Sequence, residues 1–195
     1  MGNIQKQEII LIVAYLANSR GIGFQGKLPW ENTPIKSDMS RFKKETLNST
    51  VIMGKDTWLS LPKKYRPLPE RQNIVVSNTL DPHTLPKGVE LVHSVDEALS
   101  KAVHEKIFPI GGVKMFEEFM TRNLAHKILA TIVYSDLLKY DRVFPEIEKS
   151  WKNVYQSSPT IDPSSKLKIQ FCSFLNSENF HPSYYSGGYT DEGTE

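Results

Sequence analysis

The sequence has one cysteine, Cys172, among its 195 residues, so no internal disulfide can form. The lack of a disulfide framework favours a reducing compartment. No apolar run approaches membrane-spanning length, and the opening residues MGNIQKQE lack the apolar segment of a secretory signal. We therefore expect a cytoplasmic protein without a membrane partner.

Strong charge and metal-binding patterns are also missing. The net charge is +2 and the isoelectric point is about 8.5, whereas nucleic-acid binders carry a concentrated basic face. The five histidines share no metal-ligand spacing, and there is neither a G-x-S-x-G elbow nor a Walker loop. Nothing here favours a nucleic-acid partner, a metal site or hydrolytic chemistry.

Apolar runs that alternate with amphipathic runs make up most of the chain. The predicted strands are residues 8–17, 49–54, 72–78, 88–94 and 106–112, and two further strands, 127–137 and 166–176, are expected to add antiparallel to the sheet. The predicted helices are residues 37–48, 55–61, 94–103 and 113–123. This alternation predicts one α/β domain, residues 1–178, with a mostly parallel sheet. The polar, glycine-containing residues 179–195 are predicted to form a poorly ordered tail.

Two helix starts carry capping signals. Ser37 is the expected N-cap of its helix, with Met39, Phe42 and Leu47 facing the core. Ser94 and Glu97, three positions apart, are typical of a capping box.

The segment Gly21–Gly26, GIGFQG, matches the G-x-G-x-x-G pattern of dinucleotide-binding turns. In that motif a helix begins at the glycines and its N-terminus holds the pyrophosphate. The following residues are KLPW, and Pro29 pushes Leu28 toward extended geometry. We therefore expect these glycines to serve a loop.

Two strand-to-helix junctions could bind a ligand. VIMGKDTW (51–58) offers backbone N–H groups, a hydroxyl and a cation to a phosphate. FPIGGVKMF (108–116) has a glycine pair between strand and helix, where the backbone can approach a ligand closely. Both would lie at the carboxyl edge of the sheet, where ligands of α/β proteins bind. Such junctions are also common as purely structural joints.

Asp38 lies in the first turn of its predicted helix, one turn before Phe42. A carboxylate there can simply favour the helix macrodipole. Alternatively, because Asp38 and Phe42 share a helix face, the pair could meet a planar heterocycle in a dry cleft.

Together these segments resemble dihydrofolate reductase. The resemblance covers about residues 8–176 and is carried by IVA (12–14), GIGFQGKLPW (21–30), SDMSRFKKET (37–46), VIMGKDTW (51–58), RPLPERQNIVVS (66–77) and PIGGVKMFEEF (109–119). It is closest to fungal or other eukaryotic single-function forms. It implies a sheet of about eight strands flanked by helices, a monomer, and NADPH-dependent reduction of dihydrofolate to tetrahydrofolate.

The resemblance also implies a substrate site. Asp38 would hold the pterin and support protonation of N5, with Thr131 hydrogen-bonding the carboxylate and Arg71 binding the substrate's α-carboxylate. Leu28 and Trp30 would belong to a mobile flap over the reacting atoms. The remaining implied substrate contacts are Ile12, Val13, Phe42, Leu61, Leu68 and Ile110. Burial beside apolar side chains should raise the pKa of Asp38.

For NADPH the resemblance implies the two junctions, with Lys55 and Thr57 on the phosphates, Ser77 near the 2′-phosphate, and a cis peptide joining Gly111 and Gly112. The full implied cofactor set is Ala14, Ile22, Gly54, Lys55, Asp56, Thr57, Ser77, Asn78, Gly111, Gly112, Val113, Lys114, Met115 and Phe116. Phe116 replaces the family's usual tyrosine, and Asn78 stands where many members have a basic residue.

Two alternatives remain on the sequence alone. A related NADPH reductase acting on a pyrimidine of the riboflavin pathway would share the architecture, although Asp38 and Arg71 favour folate. A non-catalytic pterin- or RNA-binding module on a degraded enzyme scaffold is the other, against which intact Asp38, Thr131 and paired glycines count.

Overall fold

The computed structural model describes residues 7–179. The tail predicted for residues 179–195 lies outside this range except for Asn179, whose side-chain amide donates to the carbonyl of Asn123 at 3.0 Å. None of the helices in the described range is long and apolar enough to span a bilayer.

One large sheet organises the structure. Its strands are β1 Glu8–Leu16, β3 Thr50–Gly54, β4 Gln72–Val76, β5 Val89–Val92, β6 Lys106–Gly111, β7 Lys127–Tyr134, β9 Trp151–Gln156, β10 Thr160–Ile161 and β11 Lys168–Asn176. They lie in the order β10-β11-β7-β1-β6-β3-β4-β5, and β9 pairs with β11 as the ninth strand. Strands β7, β1, β6, β3, β4 and β5 are mutually parallel, while β11 runs antiparallel to its neighbours. The predicted mostly parallel α/β fold is confirmed.

Helices cover the sheet, and two short strands form a second sheet, called the ribbon below. The α-helices are α1 Lys36–Thr46, α2 Lys55–Ser60, α3 Val95–Lys101 and α4 Val113–Thr121. The ribbon pairs β2 (Gly21–Gly23) with β8 (Arg142–Val143).

The side chains of β1 alternate between two apolar layers because successive strand residues point to opposite faces. Ile10 and Ile12 join a cluster that includes Trp58 of α2 and the half-buried Phe42 of α1. Leu11 and Val13 join the cluster with α3 and α4. The sheet is therefore a buried central layer, and its carboxyl edge is set between α1 and the starts of α2 and α4.

The start of α1 differs from the sequence prediction. The N-cap position is Ile35, which is 1% exposed and makes no side-chain cap, so Ser37 is a helical residue and not the cap. Met39 does not face the core, since 51% of its surface is exposed. The local sequence does not show that Ser37 is not the cap, because a loop more than a hundred residues away accepts hydrogen bonds from the start of α1.

Two other local predictions need correction. Strand β7 is parallel to β1 and antiparallel only to β11, so it belongs to the parallel core of the sheet. Ser94 does cap α3 by accepting from the Glu97 N–H at 3.1 Å, but the Glu97 carboxylate accepts from the N–H of His93 at 2.9 Å and not from Ser94. The predicted Ser94 cap is therefore confirmed, and only the reciprocal hydrogen bond of the box is displaced by one residue.

Candidate functional site

Asp38 and Thr131 meet at the carboxyl edge of the sheet. Asp38 lies in the first turn of α1, and Thr131, which is 2% exposed, pairs with Ala14 of β1 from the neighbouring strand β7. The Thr131 hydroxyl donates a hydrogen bond to the Asp38 carboxyl group. This contact joins the helix to the sheet and fixes the orientation of the carboxyl group.

The electrostatic surroundings of Asp38 favour its neutral form. Burial raises the pKa of this carboxyl, and the hydrogen bond from Thr131 and the charge of Arg41 offset that effect only in part. The residue keeps an intermediate exposure, so a desolvated carboxyl group still reaches an open edge. The predicted upward shift agrees with these surroundings.

One face of α1 leads from Asp38 to Arg71. Asp38, Phe42 and Thr46 follow one another at four-residue spacing, so they form a stripe about 12 Å long. The Thr46 hydroxyl donates to the Phe42 carbonyl at 2.7 Å and accepts from Arg71 Nε at 2.8 Å. The Arg71 guanidinium lies 6.0 Å from the centre of the Phe42 ring. An acid and a cation thus stand at opposite ends of an apolar stripe.

Arg71 is oriented by three carbonyl or hydroxyl partners. Besides the Thr46 contact, Nη1 donates to the Pro69 carbonyl at 2.6 Å and Nη2 to the Lys43 carbonyl at 3.3 Å. A guanidinium has five N–H donors, so one donor on each terminal nitrogen is left over from these contacts. Two such N–H groups can donate parallel hydrogen bonds to the two oxygens of a carboxylate.

Most of the apolar residues predicted to contact the substrate occupy one cluster. They are Ile12, Phe42, Leu61, Leu68 and Ile110. Val13 is different, because its side chain points into the cluster on the opposite face of the sheet. From this position only the backbone of Val13 can reach the same side as Phe42.

The two glycine junctions lie side by side. Met53 pairs with Gly111 across β3 and β6, and a Cβ added at Gly54 would lie 3.8 Å from the Gly112 nitrogen. A Cβ at Gly111 would lie 3.1 Å from Thr57 Oγ1, and Gly111 has φ +127°, a conformation that favours glycine. The Gly111–Gly112 peptide bond is cis. The backbone therefore carries no side chains at these glycines, where α2 and α4 begin.

These junctions offer donors that suit a phosphate-bearing cofactor. The first N–H groups of α4, at Val113 and Lys114, have no acceptor within the helix, and helix N-termini favour anions. Lys55 Nζ donates to Thr79 Oγ1 at 3.0 Å, which ties the start of α2 to the loop after β4. The donor set and the bare glycine backbone fit a dinucleotide.

The loop after β4 is organised around Ser77. Its hydroxyl oxygen accepts from the N–H groups of Thr79 and Leu80, both at 3.1 Å, and its carbonyl lies 3.0 Å from His93 Nδ1. Asn78 is exposed beside it. The Ser77 hydroxyl proton is not used by these contacts.

The remaining predicted cofactor residues differ in accessibility. Met115 and Phe116 are buried at 6% and 2% exposure, whereas Lys114 is exposed. The Phe116 ring lies 3.7 Å from the position of a Cβ at Gly111 and packs edge-on against Phe144, with ring centres 5.0 Å apart. Phe116 therefore supports the glycine pair from behind, with packing and no hydroxyl. Ala14 and Ile22 are partly buried, and Asp56 is exposed.

The glycine-rich segment forms a flap, residues 21–30, and no helix begins there, as expected. Gly21 and Gly23 pair with β8, and Gly26, at φ +78°, closes a tight turn in which Phe24 and Lys27 exchange backbone hydrogen bonds. A Cβ at Gly21 would lie only 2.7 Å from the Tyr140 side chain. Leu28 is 47% exposed, and Trp30, at 2%, is packed in the core. The flap thus has an exposed apolar residue next to a fixed end.

Three residues that contact the candidate site were not predicted from the sequence. Arg41 Nη1 donates to the Ala130 carbonyl at 2.8 Å, Asp141 accepts from the Gln25 N–H in the flap at 2.9 Å, and Asp162 accepts from the Ser37 N–H at 3.0 Å. The spacing of Asp38 and Arg41 could have indicated an i, i+3 pair. The other two contacts join segments more than a hundred residues apart, which leaves no local signal.

The architecture and the site define a class: an α/β protein with a dinucleotide-type cradle beside an acid-bearing apolar stripe. Such an arrangement suits a reductase that takes its hydride from a nicotinamide cofactor.

Comparisons with known proteins all indicate one family. A sequence profile described as dihydrofolate reductase matches residues 8–176. The dihydrofolate reductase of Drosophila melanogaster is 35% identical over 159 residues, covering 76% of this chain and 85% of the fly protein. That of Pneumocystis carinii is 33% identical, covering 83% and 86%, and that of Candida albicans is 33% identical, covering 66% and 69%. The chain belongs to the dihydrofolate reductase family.

The packing of Gly21 generates a stability prediction. Gly21→Ala should destabilise the protein by about 1–3 kcal/mol, because the new methyl group overlaps the Tyr140 side chain and forces the ribbon apart. Urea unfolding followed by tryptophan fluorescence measures this change. Gly26→Ala is the control: no atom of residues 7–179 lies within 4 Å of its Cβ, so only the cost of positive φ, roughly 1 kcal/mol, applies. A Gly21→Ala protein as stable as the wild type would contradict the close contact.

Proposed function

We propose that Asp38 anchors the substrate and assists its protonation in the reaction of this chain, the NADPH-dependent reduction of 7,8-dihydrofolate to 5,6,7,8-tetrahydrofolate. The carrying observation is the desolvated Asp38 carboxyl, hydrogen-bonded by Thr131, at one end of an apolar stripe that ends at Arg71. The 2-amino and N3–H donors of a pterin match such a carboxyl group, and the carboxylate of a glutamate tail matches such a guanidinium.

Once it has given up its proton, Asp38 would bind the 2-amino group and N3–H of the pterin through two hydrogen bonds, both accepted by its carboxylate oxygens. Thr131 holds the carboxyl group in place for this contact. The apolar cluster around Phe42, Leu61 and Ile110 would cover the ring and remove water from it. Within this environment each polar contact gains strength because the local dielectric is low.

The raised pKa of Asp38 suits a group that assists proton delivery near neutral pH. A carboxyl group holding the 2-amino side of the ring cannot touch N5 itself. We therefore propose that the Asp38 proton passes to a water molecule, which gives a proton to N5, and that the carboxylate left at Asp38 stabilises the protonated substrate.

Arg71 would bind the α-carboxylate of the glutamate tail. Its contacts with Thr46, Lys43 and Pro69 hold the fork rigid before binding, so little side-chain entropy remains to be lost. The stripe length of about 12 Å on α1 suits an extended substrate whose ring and carboxylate are widely separated.

NADPH, when bound, supplies the hydride. The residues that would hold it are Lys55 and Thr57 with the first turn of α4 at its phosphates, Ser77 at the 2′-phosphate, and Gly111 and Gly112 where the backbone is bare. The Lys55–Thr79 contact supports this grouping because it brings a cation to the Ser77 loop.

The flap would exclude water from the reacting atoms. Trp30 is anchored in the core, which supports a role as a fixed end rather than a reacting group. Leu28, exposed two residues earlier, is positioned in sequence to cover the cofactor when the flap closes. The Asp141 contact with Gln25 would hold the flap in its ordered conformation.

We further propose that the protein acts as a cytoplasmic monomer built from one catalytic domain, with no nucleic-acid partner. The weak net charge and the single buried cysteine support this proposal. The family assignment disfavours the riboflavin-pathway and non-catalytic alternatives.

The decisive experiment is a spectrophotometric assay of NADPH oxidation with dihydrofolate. We expect turnover that depends on both compounds and a much lower kcat/KM with NADH. An absence of turnover with purified, folded protein would refute the proposed reaction, and equal rates with NADH would refute the assignment of the 2′-phosphate to the Ser77 loop.

Asp38→Asn should lower kcat by roughly 100-fold or more, the usual contribution of a group in acid–base catalysis. The loss should be greatest at neutral pH, because in acid the substrate takes its proton from solvent. Turnover measured from pH 5 to 8 checks both statements. Near-wild-type rates would remove Asp38 from the mechanism.

The same variant makes a stability prediction. Because burial raises the pKa of Asp38 in the folded state, ionisation costs folding free energy, and this cost grows as pH rises above the ordinary carboxyl pKa. Asp38→Asn removes it, so the variant should gain stability over the wild type at pH 7 and gain less at pH 4. Urea midpoints at the two pH values measure this, and a gain independent of pH would contradict it.

Arg71→Leu should weaken dihydrofolate binding by about 10- to 100-fold, the loss of a charge-assisted hydrogen-bonded pair. NADPH affinity should change little. Fluorescence titrations with each ligand separate the two effects. Arg122→Leu is a matched control, since Arg122 pairs with Asp96 and Glu118 away from α1; equal weakening of both ligands by Arg71→Leu would refute the role.

A further inference from the structure

The first turn of α1 is capped by a loop from the far end of the chain. Ile35 occupies the N-cap position and packs with Trp30 and Leu16, and an isoleucine side chain cannot accept a hydrogen bond. The Lys36 N–H donates to Ser164 Oγ at 3.1 Å, and the Ser37 N–H donates to Asp162 Oδ1 at 3.0 Å. Residues 162–165 therefore replace the missing cap.

Asp162 is the centre of this loop. It is 1% exposed, and Oδ1 also accepts from the Ser37 hydroxyl at 2.5 Å. Oδ2 accepts from the N–H groups of Ser164 and Ser165, at 3.1 and 2.8 Å, and from their hydroxyls, at 2.5 and 2.9 Å. The carboxylate is thus surrounded by donors from its own loop and from α1.

These donors keep Asp162 ionised. Burial alone would raise the pKa of this carboxyl, but the hydrogen bonds from Ser164, Ser37 and Ser165 outweigh that effect and hold the pKa far below its usual value. The charge is therefore constant over the pH range in which Asp38 titrates. Asp38 is the residue directly after Ser37, so the charge is fixed beside it.

We propose that Asp162 is a positioning residue for the reduction: it fixes the first turn of α1 that carries Asp38, and its permanent negative charge favours the protonated form of Asp38. The positive end of a helix would otherwise stabilise an ionised carboxyl in the first turn. The charge of Asp162 opposes that effect at the same place. The inference rests on the proposed role of Asp38.

The other groups that face Asp38 act in the opposite direction. Arg41, on α1 itself, and the hydroxyl of Thr131, on β7, both favour the ionised carboxylate, whereas burial and Asp162 disfavour it. Removing the charge of Asp162 leaves burial to oppose Arg41, Thr131 and the helix end. The pKa of Asp38 should therefore fall.

The test compares Asp162→Asn with the wild type by a titration that needs no substrate. The Asp38 carboxyl carbon is followed by NMR across pH in the free protein and assigned with Asp38→Asn. We expect the midpoint in Asp162→Asn to lie at lower pH than in the wild type, and the fall of kcat/KM for dihydrofolate with rising pH to shift the same way. An unchanged or raised midpoint would overturn the proposal.

Asp96→Asn is the matched control. Asp96 also lies in the first turn of a helix, α3, but its side chain is 72% exposed and pairs with Arg122. This variant loses the same charge and should keep the wild-type midpoint for Asp38. A shift equal to that of Asp162→Asn would reduce the effect to net charge and refute a local role.

Ser37→Ala tests the positional half separately. It deletes one hydrogen bond to Asp162 but keeps the charge, so turnover should fall roughly 2- to 10-fold, the effect of one hydrogen bond, while the midpoint stays. If Asp162→Asn does not fold, this variant decides: wild-type turnover in Ser37→Ala would overturn the proposal. The NMR titration also distinguishes a failure of this proposal from a failure of the proposed function. It needs no substrate, so it still measures the effect of Asp162 on Asp38 if the wild type does not reduce dihydrofolate.

Discussion

The hydrogen bond from Thr131 to a desolvated Asp38 is the contact on which the rest of the site depends. It couples the first turn of α1 to β7, the strand at which the parallel part of the sheet meets antiparallel β11, so the acid is held by a largely buried strand. The apolar stripe of α1, the orientation of Arg71 and the cluster around Phe42 all follow from where this helix is fixed. A shift of α1 along the sheet would move the acid and the guanidinium's supports together.

The glycines show how one residue type solves different problems in one site. At Gly111 a positive φ and the nearby Thr57 hydroxyl leave no place for a side chain where a dinucleotide would approach. At Gly21 the constraint is instead the Tyr140 side chain, which packs directly on the ribbon. The G-x-G-x-x-G pattern in the flap therefore arises from packing and turn geometry, without a phosphate.

Much of this could be predicted from sequence because it rests on local patterns. Continuous apolar runs predicted seven strands of the sheet but not the largely exposed β9 and β10, which have no such run. Glycines at strand ends predicted two junctions that meet at one edge. The direction of β7 could not be predicted, because a strand's own residues do not record which neighbour it pairs with. The cap of α1 was also hidden, since DPSS at 162–165 indicates only a turn and its partner Ser37 is 125 residues away.

The start of α1 resolves a conflict between folding and chemistry. A first-turn carboxyl is normally ionised and stabilises its helix, whereas proton delivery near neutral pH favours an acid with a raised pKa. Here the two tasks are divided: Asp162, rich in hydrogen bonds, supplies the stabilising negative charge, and Asp38, poor in them, is left to titrate. Because Ile35 is thereby released from capping, it can pack against Trp30 and connect the flap's fixed end to the same helix. The substitution of a distant cap for a local one thus links the acid, the helix and the flap through a single buried carboxylate.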